Sequence, residues 1–387
     1  MWYLQTDTLL LTLAAAVLAA LYSAVTRRTS GGSNMSAALV LLDMALLIYI
    51  DRDLAVFYAA YTVLTYAMVT ALRYIKGARR PFFVLFCFLA AVPFFYTRTA
   101  ALFDSLPKTI ALTGFAYNML KAIDALFYVY YTGERVPLLT YSNFILFFPV
   151  FTAGPIYRYR DFSRCLEAPG KIDSARVEGC VKRLIRGLFK KVVLLELIGI
   201  VSARMAELGT VWYLSLITAA LSYLTVYLDL SGYSDIAIAV GGIMGFDVPE
   251  NFKSPITAAT FTQFWRKWHS TLSDWIREHI FVVVQGKRLK KWQGAIIGFC
   301  TMLIMSLWHD FSPLNMISGV YMGIFLVYEN LTGHTTVDRR RTSKHKFFLH
   351  CLAVNFLFSI NTMFFLMEPA QVLRVVRGFF VLRRTVG

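Results

Sequence analysis

The chain has 387 residues, 57% of them hydrophobic and only 16% charged, with a formal net charge of +16. A soluble domain carries about 25% charged residues, so this composition, with a mean hydropathy of +0.57, excludes an ordinary water-soluble globule. Continuous apolar runs approaching the roughly 17–25 residues that cross a bilayer also exclude a β-barrel, whose strands would alternate.

The first apolar run, residues 9–25, has no basic segment before it and is followed by Arg27 and Arg28. That asymmetry predicts a retained span with its N-terminus extracytoplasmic, not a cleaved signal. Further spans are expected at 37–50, 54–72 and 82–96, with basic residues after the first and third, as the positive-inside rule requires. Residues 1–110 read as scaffold. Between 111 and 131, Lys121 and Asp124 fall three apart in apolar surroundings, a spacing that predicts a pair on one helix face. Residues 138–152 are short for a span and end in Gly154-Pro155, a break that predicts a re-entrant turn or helix end. The basic stretch from Arg158 to Lys191 belongs in the cytoplasm. By simple parity, one segment between 106 and 152 then stops short of a full crossing.

Residues 192–203 and 212–230 follow, the second ending in the polar YLDLSGYSD. The block 260–281 places Phe261, Phe264, Trp265, Trp268, Leu272 and Trp275 at three- and four-residue spacing. It predicts an amphipathic helix too polar to cross alone. Spans at 295–307, 314–331 and 347–366 complete the pattern, with basic segments 285–292, 338–346 and 374–384. The chain reads as one all-α membrane domain over 1–387, its core at 111–331 and a C-terminal helix with a basic tail at 332–387. No RNA- or DNA-binding motif accompanies the positive charge, which fits cytoplasmic loops, so no nucleic acid is expected. Five scattered cysteines without metal-like spacing predict neither a disulfide framework nor a metal site.

Two histidines carry the chemistry. His269 follows Trp265 and Trp268 on one helical stripe, and His309 ends the apolar run GAIIGFCTMLIMSLW. A buried imidazole needs partners, and Ser306, one turn back from His309, is the expected one, with Asp310 adjacent. Either histidine is a satisfied structural ring or a working base. A base that takes the proton of an attacking hydroxyl suits acyl transfer, and a dry passage between helices spares a thioester from hydrolysis. No GxSxG, Walker A, HExxH or GxGxxG pattern offers competing chemistry.

With GFAYNMLKAID, FFPVFTAGPIYRYRDF, GLFKKVV, YLDLSGYSDIAI, GFDVPENFKSPI, FWRKWHSTLSDWIREHIF and the late Trp-His before SGVYMG in this order, residues 114–329 resemble the membrane-bound O-acyltransferase family. The resemblance implies a ring of roughly 10–12 transmembrane or re-entrant helices around a central tunnel. It implies His309 as catalytic base and His269 as the second tunnel histidine. Trp265, Trp268, Asp235, Asn251, Ser306 and Asp310 are expected along the substrate path. Two departures stand out: Asp310 where the family commonly has Gly, and Ser312-Pro313 where an aromatic is usual.

Two bacterial envelope branches remain open. One would move D-alanyl from a phosphopantetheine carrier-protein thioester onto teichoic-acid hydroxyls. The other would O-acetylate an exported polysaccharide of the alginate type, drawing on acetyl-CoA and an extracytoplasmic partner acyltransferase. Chain length favours the first, and the Arg-Lys of FWRKWH the second. In either case the resemblance implies a multi-pass protein of the plasma or inner membrane, in contact with membrane lipids and holding no permanent cofactor. A transporter whose Lys121, Asp124, Asp229 and Asp235 line a pathway, or an acyltransferase-like scaffold without activity, are the rival classes.

Overall fold

The computed structural model describes residues 14, 33–100, 114–207, 211–281 and 290–381. The expected span at 9–25, most of the basic loop 285–292 and the end of the basic tail lie outside them. Among the described residues there are helices, turns and loops but no strand. Four helices are long and apolar enough to cross a membrane, Arg52–Tyr74, Arg79–Thr99, Trp212–Ile243 and Lys344–Leu366, and Ser36–Ile50 is a shorter apolar one. The chain divides into two compact units, Met1–Ile185 with Ser234–Pro249, and Arg186–Tyr233 with Glu250–Gly387.

The first unit holds α1 (Ser33–Ile50), α2 (Arg52–Tyr74), α3 (Arg79–Ala100), α4 (Phe115–Thr132), α5 (Leu138–Leu146) and α6 (Tyr159–Glu167), and most of α7 (Ser174–Leu188). Asp51 separates the first two by accepting the Asp53 and Leu54 amides, a side-chain cap that starts α2. Helix α5 has nine residues and rises about 13 Å, less than half of the roughly 30 Å hydrocarbon layer. It fits the segment that parity required to stop short. Asn143 ties it to α1 by donating to the Ser36 carbonyl at 2.8 Å.

Lys121 and Asp124 do not pair with each other. The Lys121 ammonium donates to the Ile145 carbonyl at 3.2 Å and lies in the field of Asp43. Asp124 accepts the Tyr159 amide at 2.6 Å and faces Arg158 at 3.9 Å. The reason lies on another element: Tyr159 opens α6, and the Asp124 carboxylate satisfies its otherwise orphaned first-turn amide.

The second unit begins with a π-turn (Phe189–Leu194) and α8 (Leu195–Glu207), followed by α9 (Trp212–Ile243). Helix α9 does not end at residue 230 within YLDLSGYSD, as expected, but runs 32 residues through it. Its acids are neutralised on the way: Lys191 pairs with Asp229, and within the first unit Arg183 pairs with Asp235 at 2.9 Å. The short helices α10 (Phe261–Trp265) and α11 (Ser270–Ile276) come next. Then follow α12 (Lys291–His309), α13 (Pro313–Thr332), α14 (Lys344–Leu366) and α15 (Pro369–Gly378).

Helices α12 and α13 form a hairpin closed by three residues, and each carries glycines four apart, Gly294 and Gly298 on one, Gly319 and Gly323 on the other. Small residues at this spacing let helix backbones approach in a membrane. A methyl group at Gly319 would stand 2.8 Å from the Leu303 Cα, and one at Gly323 2.6 Å from the Phe299 ring. The hairpin therefore sets where His309, the last residue of α12, is held. Gly319→Ala is expected to destabilise the protein by about 1–3 kcal/mol through overpacking against backbone. Gly179→Ala, in open space on α7, should stabilise by about 1 kcal/mol through helix propensity. Thermal unfolding of the purified variants in detergent measures both, and equal melting temperatures would refute the close packing.

Candidate active site

The block 260–281 is not one amphipathic helix. It breaks after Trp265, turns through residues 266–269 and restarts at Ser270. His269 sits at the restart with φ 46° and ψ 47°, in the left-handed region that non-glycine residues seldom occupy. The amides and carbonyls that a continuous helix would have paired internally go instead to residues 250–253. Lys253 donates its amide to the Lys267 carbonyl at 2.9 Å, and Ser270 donates its amide to the Asn251 carbonyl at 2.9 Å. The Asn251 side chain accepts the Thr271 hydroxyl at 2.9 Å, and the Ser270 hydroxyl donates to the Glu250 carbonyl. At the start of α10, the Glu329 carboxylate on α13 accepts the Phe261 and Thr262 amides at 2.6 and 2.8 Å. Each external partner satisfies a buried backbone group that would otherwise cost about 1–3 kcal/mol.

Trp268, released from the helical stripe, packs among Phe264, Phe358, Tyr223, Tyr227 and Phe252. That aromatic wall, with Trp265, borders a cavity of about 990 Å³. His269, His309, Trp265, Trp268, Ser306 and Asp310 all line it. Six of the eight expected site residues thus share one space, contributed by the second unit alone.

The other two are elsewhere. Asp235 belongs to the first unit and is engaged by Arg183. Asn251, only 1% exposed, does not line the cavity but holds the turn behind His269. His309, expected to be buried, stands exposed at the cavity wall, with Phe365 edge-on at 5.3 Å, whereas His269 is buried. Ser306 does not serve the His309 ring. It meets the Ser318 hydroxyl at 3.3 Å, and Ser318 donates to the Asn361 amide oxygen at 2.8 Å. Among the described residues the Asp310 carboxylate has no hydrogen bond or ion pair. Its backbone carbonyl accepts from Asn315 at 3.2 Å, fixing the turn after His309.

Sequence reasoning expected the α14 span but missed its place in the site: it gives Asn361, Thr362 and Phe365 to the cavity, where Asn315 and Glu368 were missed as well. The signal was the polar run SINT at 359–362 inside an apolar span.

Burial, and secondarily the charge on nearby His309, hold the His269 imidazole well below its ordinary value, down to about 3. His269 is therefore neutral at physiological pH and available to accept or donate one hydrogen bond.

The model of the MBOAT family, membrane-bound O-acyltransferases, matches residues 128–367. The chain belongs to this family. As a membrane-bound O-acyltransferase family member it is a polytopic membrane protein. It is similar to a probable alginate O-acetylase of Pseudomonas fluorescens, at 32% identity over 234 residues, 58% of this chain and 46% of the relative. It is also similar to a teichoic acid D-alanyltransferase of Streptococcus thermophilus, at 26% over 283 residues, 67% of each chain. A peptidoglycan O-acetyltransferase of Helicobacter pylori matches at 32% over 209 residues, 51% of this chain and 38% of the relative. The chain spans about half the length of the alginate O-acetylases it matches. The family match begins later than residue 114 and continues past residue 329 into α14, the helix that completes the cavity wall.

A histidine whose folded-state value lies below its unfolded value of about 6.5 opposes protonation of the folded protein. Stability is then full above pH 6.5 and falls as pH drops toward 3, by up to tenfold in the unfolding equilibrium per pH unit. His269→Gln removes that term. The difference in melting temperature between pH 7 and pH 5 should be smaller in this variant than in the parent, and an unchanged difference would contradict a buried, neutral His269.

Proposed function

We propose that this protein is an O-acyltransferase of the cell membrane that moves an acyl group from a thioester onto a hydroxyl of a cell-envelope polymer. The observation that carries this reading is the convergence of His309 and His269 on one cavity of about 990 Å³ walled by aromatic and amide side chains. The acceptor hydroxyl oxygen attacks the thioester carbonyl while the His309 imidazole takes its proton. The tetrahedral intermediate collapses, the new ester forms, and the thiolate leaves and recovers the proton from His309. Buried His269, fixed by its backbone turn, orients the reacting groups by hydrogen bonding, and Trp265 and Trp268 keep water from the thioester.

The favoured acyl group is D-alanyl, delivered from the cytoplasm by a phosphopantetheine carrier protein onto teichoic acid. Its support is the Asp310 carboxylate beside His309, with Glu368 in the same cavity, an acidic lining suited to an aminoacyl ammonium. The second reading is O-acetyl transfer from acetyl-CoA to an exported polysaccharide, working with an extracytoplasmic acyltransferase. Its support is the 32% identity to alginate O-acetylases. In both readings the N-terminus is extracytoplasmic and no cofactor is held permanently.

Reconstituted protein should transfer label from a D-alanyl carrier thioester to teichoic acid. His309→Ala should lower the rate at least 100-fold with an unchanged melting temperature. Transfer that survives this substitution removes His309 from the role of base. Asp310→Asn should raise KM for the D-alanyl donor about tenfold while leaving acetyl transfer untouched. The reverse preference would select the acetyl reading.

A further inference from the structure

A second cavity, of about 910 Å³, is lined by Lys267, Arg339 and Lys344 together with Ile256, Phe348 and Leu352. It backs onto the segment that carries His269. Gln263 and Lys267, four residues apart, face it, whereas Trp265, Trp268 and His269 face the first cavity. Its cations are not equivalent. The Lys267 ammonium is engaged by the Thr257 hydroxyl at 2.6 Å. Arg339 and Lys344 are exposed and have no side-chain partner among the described residues. The acid on this wall, Asp338, is occupied by the Arg340 amide at 2.8 Å and by Arg341 at 3.7 Å.

Lys344 opens α14, a 23-residue helix able to cross a membrane, so the cavity mouth lies where hydrocarbon gives way to head groups. Ser343 accepts the Lys346 amide, and the amides of residues 344 and 345 add the positive end of the helix dipole. From that mouth an apolar track runs along α14 and its neighbour: Phe348 is 64% exposed, Leu352 55% and Ile256 64%. An unpaired guanidinium and ammonium beside a helix N-terminus match a phosphate. A bare anion would leave the apolar track uncovered, and a zwitterionic head group would bring its own cation against Arg339 and Lys344.

We propose that this cavity binds an anionic phospholipid, its phosphate held by Arg339 and Lys344 and its acyl chains lying along Phe348 and Leu352. The site stands apart from acyl transfer, so its test needs no catalytic activity. Full-length protein in detergent, examined by native mass spectrometry, should retain phosphatidylglycerol about tenfold better than phosphatidylcholine. The double variant Arg339→Gln with Lys344→Gln, folded by its melting curve, should lose that preference. Phe348→Ser should weaken retention of both lipids. Equal retention of the two lipids by the parent protein, or an unchanged preference in the double variant, overturns the proposal. Displacement of phosphatidylglycerol by glycerol phosphate or coenzyme A at millimolar concentration also overturns it, by assigning the site to a soluble anion.

Discussion

The arrangement of the site depends on a broken helix whose broken ends are satisfied from outside. Between Trp265 and Ser270 the internal ladder is interrupted: the Trp268 amide still reaches the Phe264 carbonyl, but the Lys267 carbonyl and the Ser270 amide are taken by Lys253 and Asn251. Asn251 and Glu250 hold the restart of the helix at Ser270 through its amide and hydroxyl and through the Thr271 hydroxyl. The left-handed conformation at His269 costs of the order of 1–3 kcal/mol. It persists because several short hydrogen bonds determine it together.

The same logic recurs in the carboxylates. Glu329 holds the start of α10, and Asp124 holds the start of α6. Asp43 accepts the Phe148 amide at 3.4 Å, where α5 gives way to a 3-10 turn. Each acid sits in an apolar helix and meets the first amides of another element. In a medium without water such amides have no other partner, so intramembrane acids here serve as caps. That role accounts for Asp124, which one reading of the sequence would have placed on a transport pathway. Asp229 and Asp235 are paired with Lys191 and Arg183.

Within the second unit, His269 and His309 are positioned by different means. His269 depends on hydrogen bonds to residues 250–253, whereas His309 depends on the close packing of α12 on α13 through their glycines. One histidine is buried and the other stands at the cavity wall. Two groups of the same chemical type thus acquire unlike environments. Asp310 lines the same cavity, and among the described residues its carboxylate makes no hydrogen bond or ion pair.

Much of this was legible in the residues. Apolar runs of membrane length and basic loops determined a polytopic helical protein, because hydrophobicity is a property of the chain alone, and the family resemblance implied the six residues that share the cavity. Element edges were read to within a few residues at Arg52–Tyr74, Pro313–Thr332 and Lys344–Leu366. The tertiary structure decided what local spacing cannot carry. It broke the 260–281 helix, extended α9 through its acids, separated Lys121 from Asp124, and left His309 exposed at the cavity wall. In each case the deciding partner lies far away in sequence or on another element: Asn251 for the turn at 269, Lys191 for Asp229, Tyr159 for Asp124. A buried polar group goes to whichever partner the fold brings within hydrogen-bonding distance, and periodicity along one helix does not encode that choice.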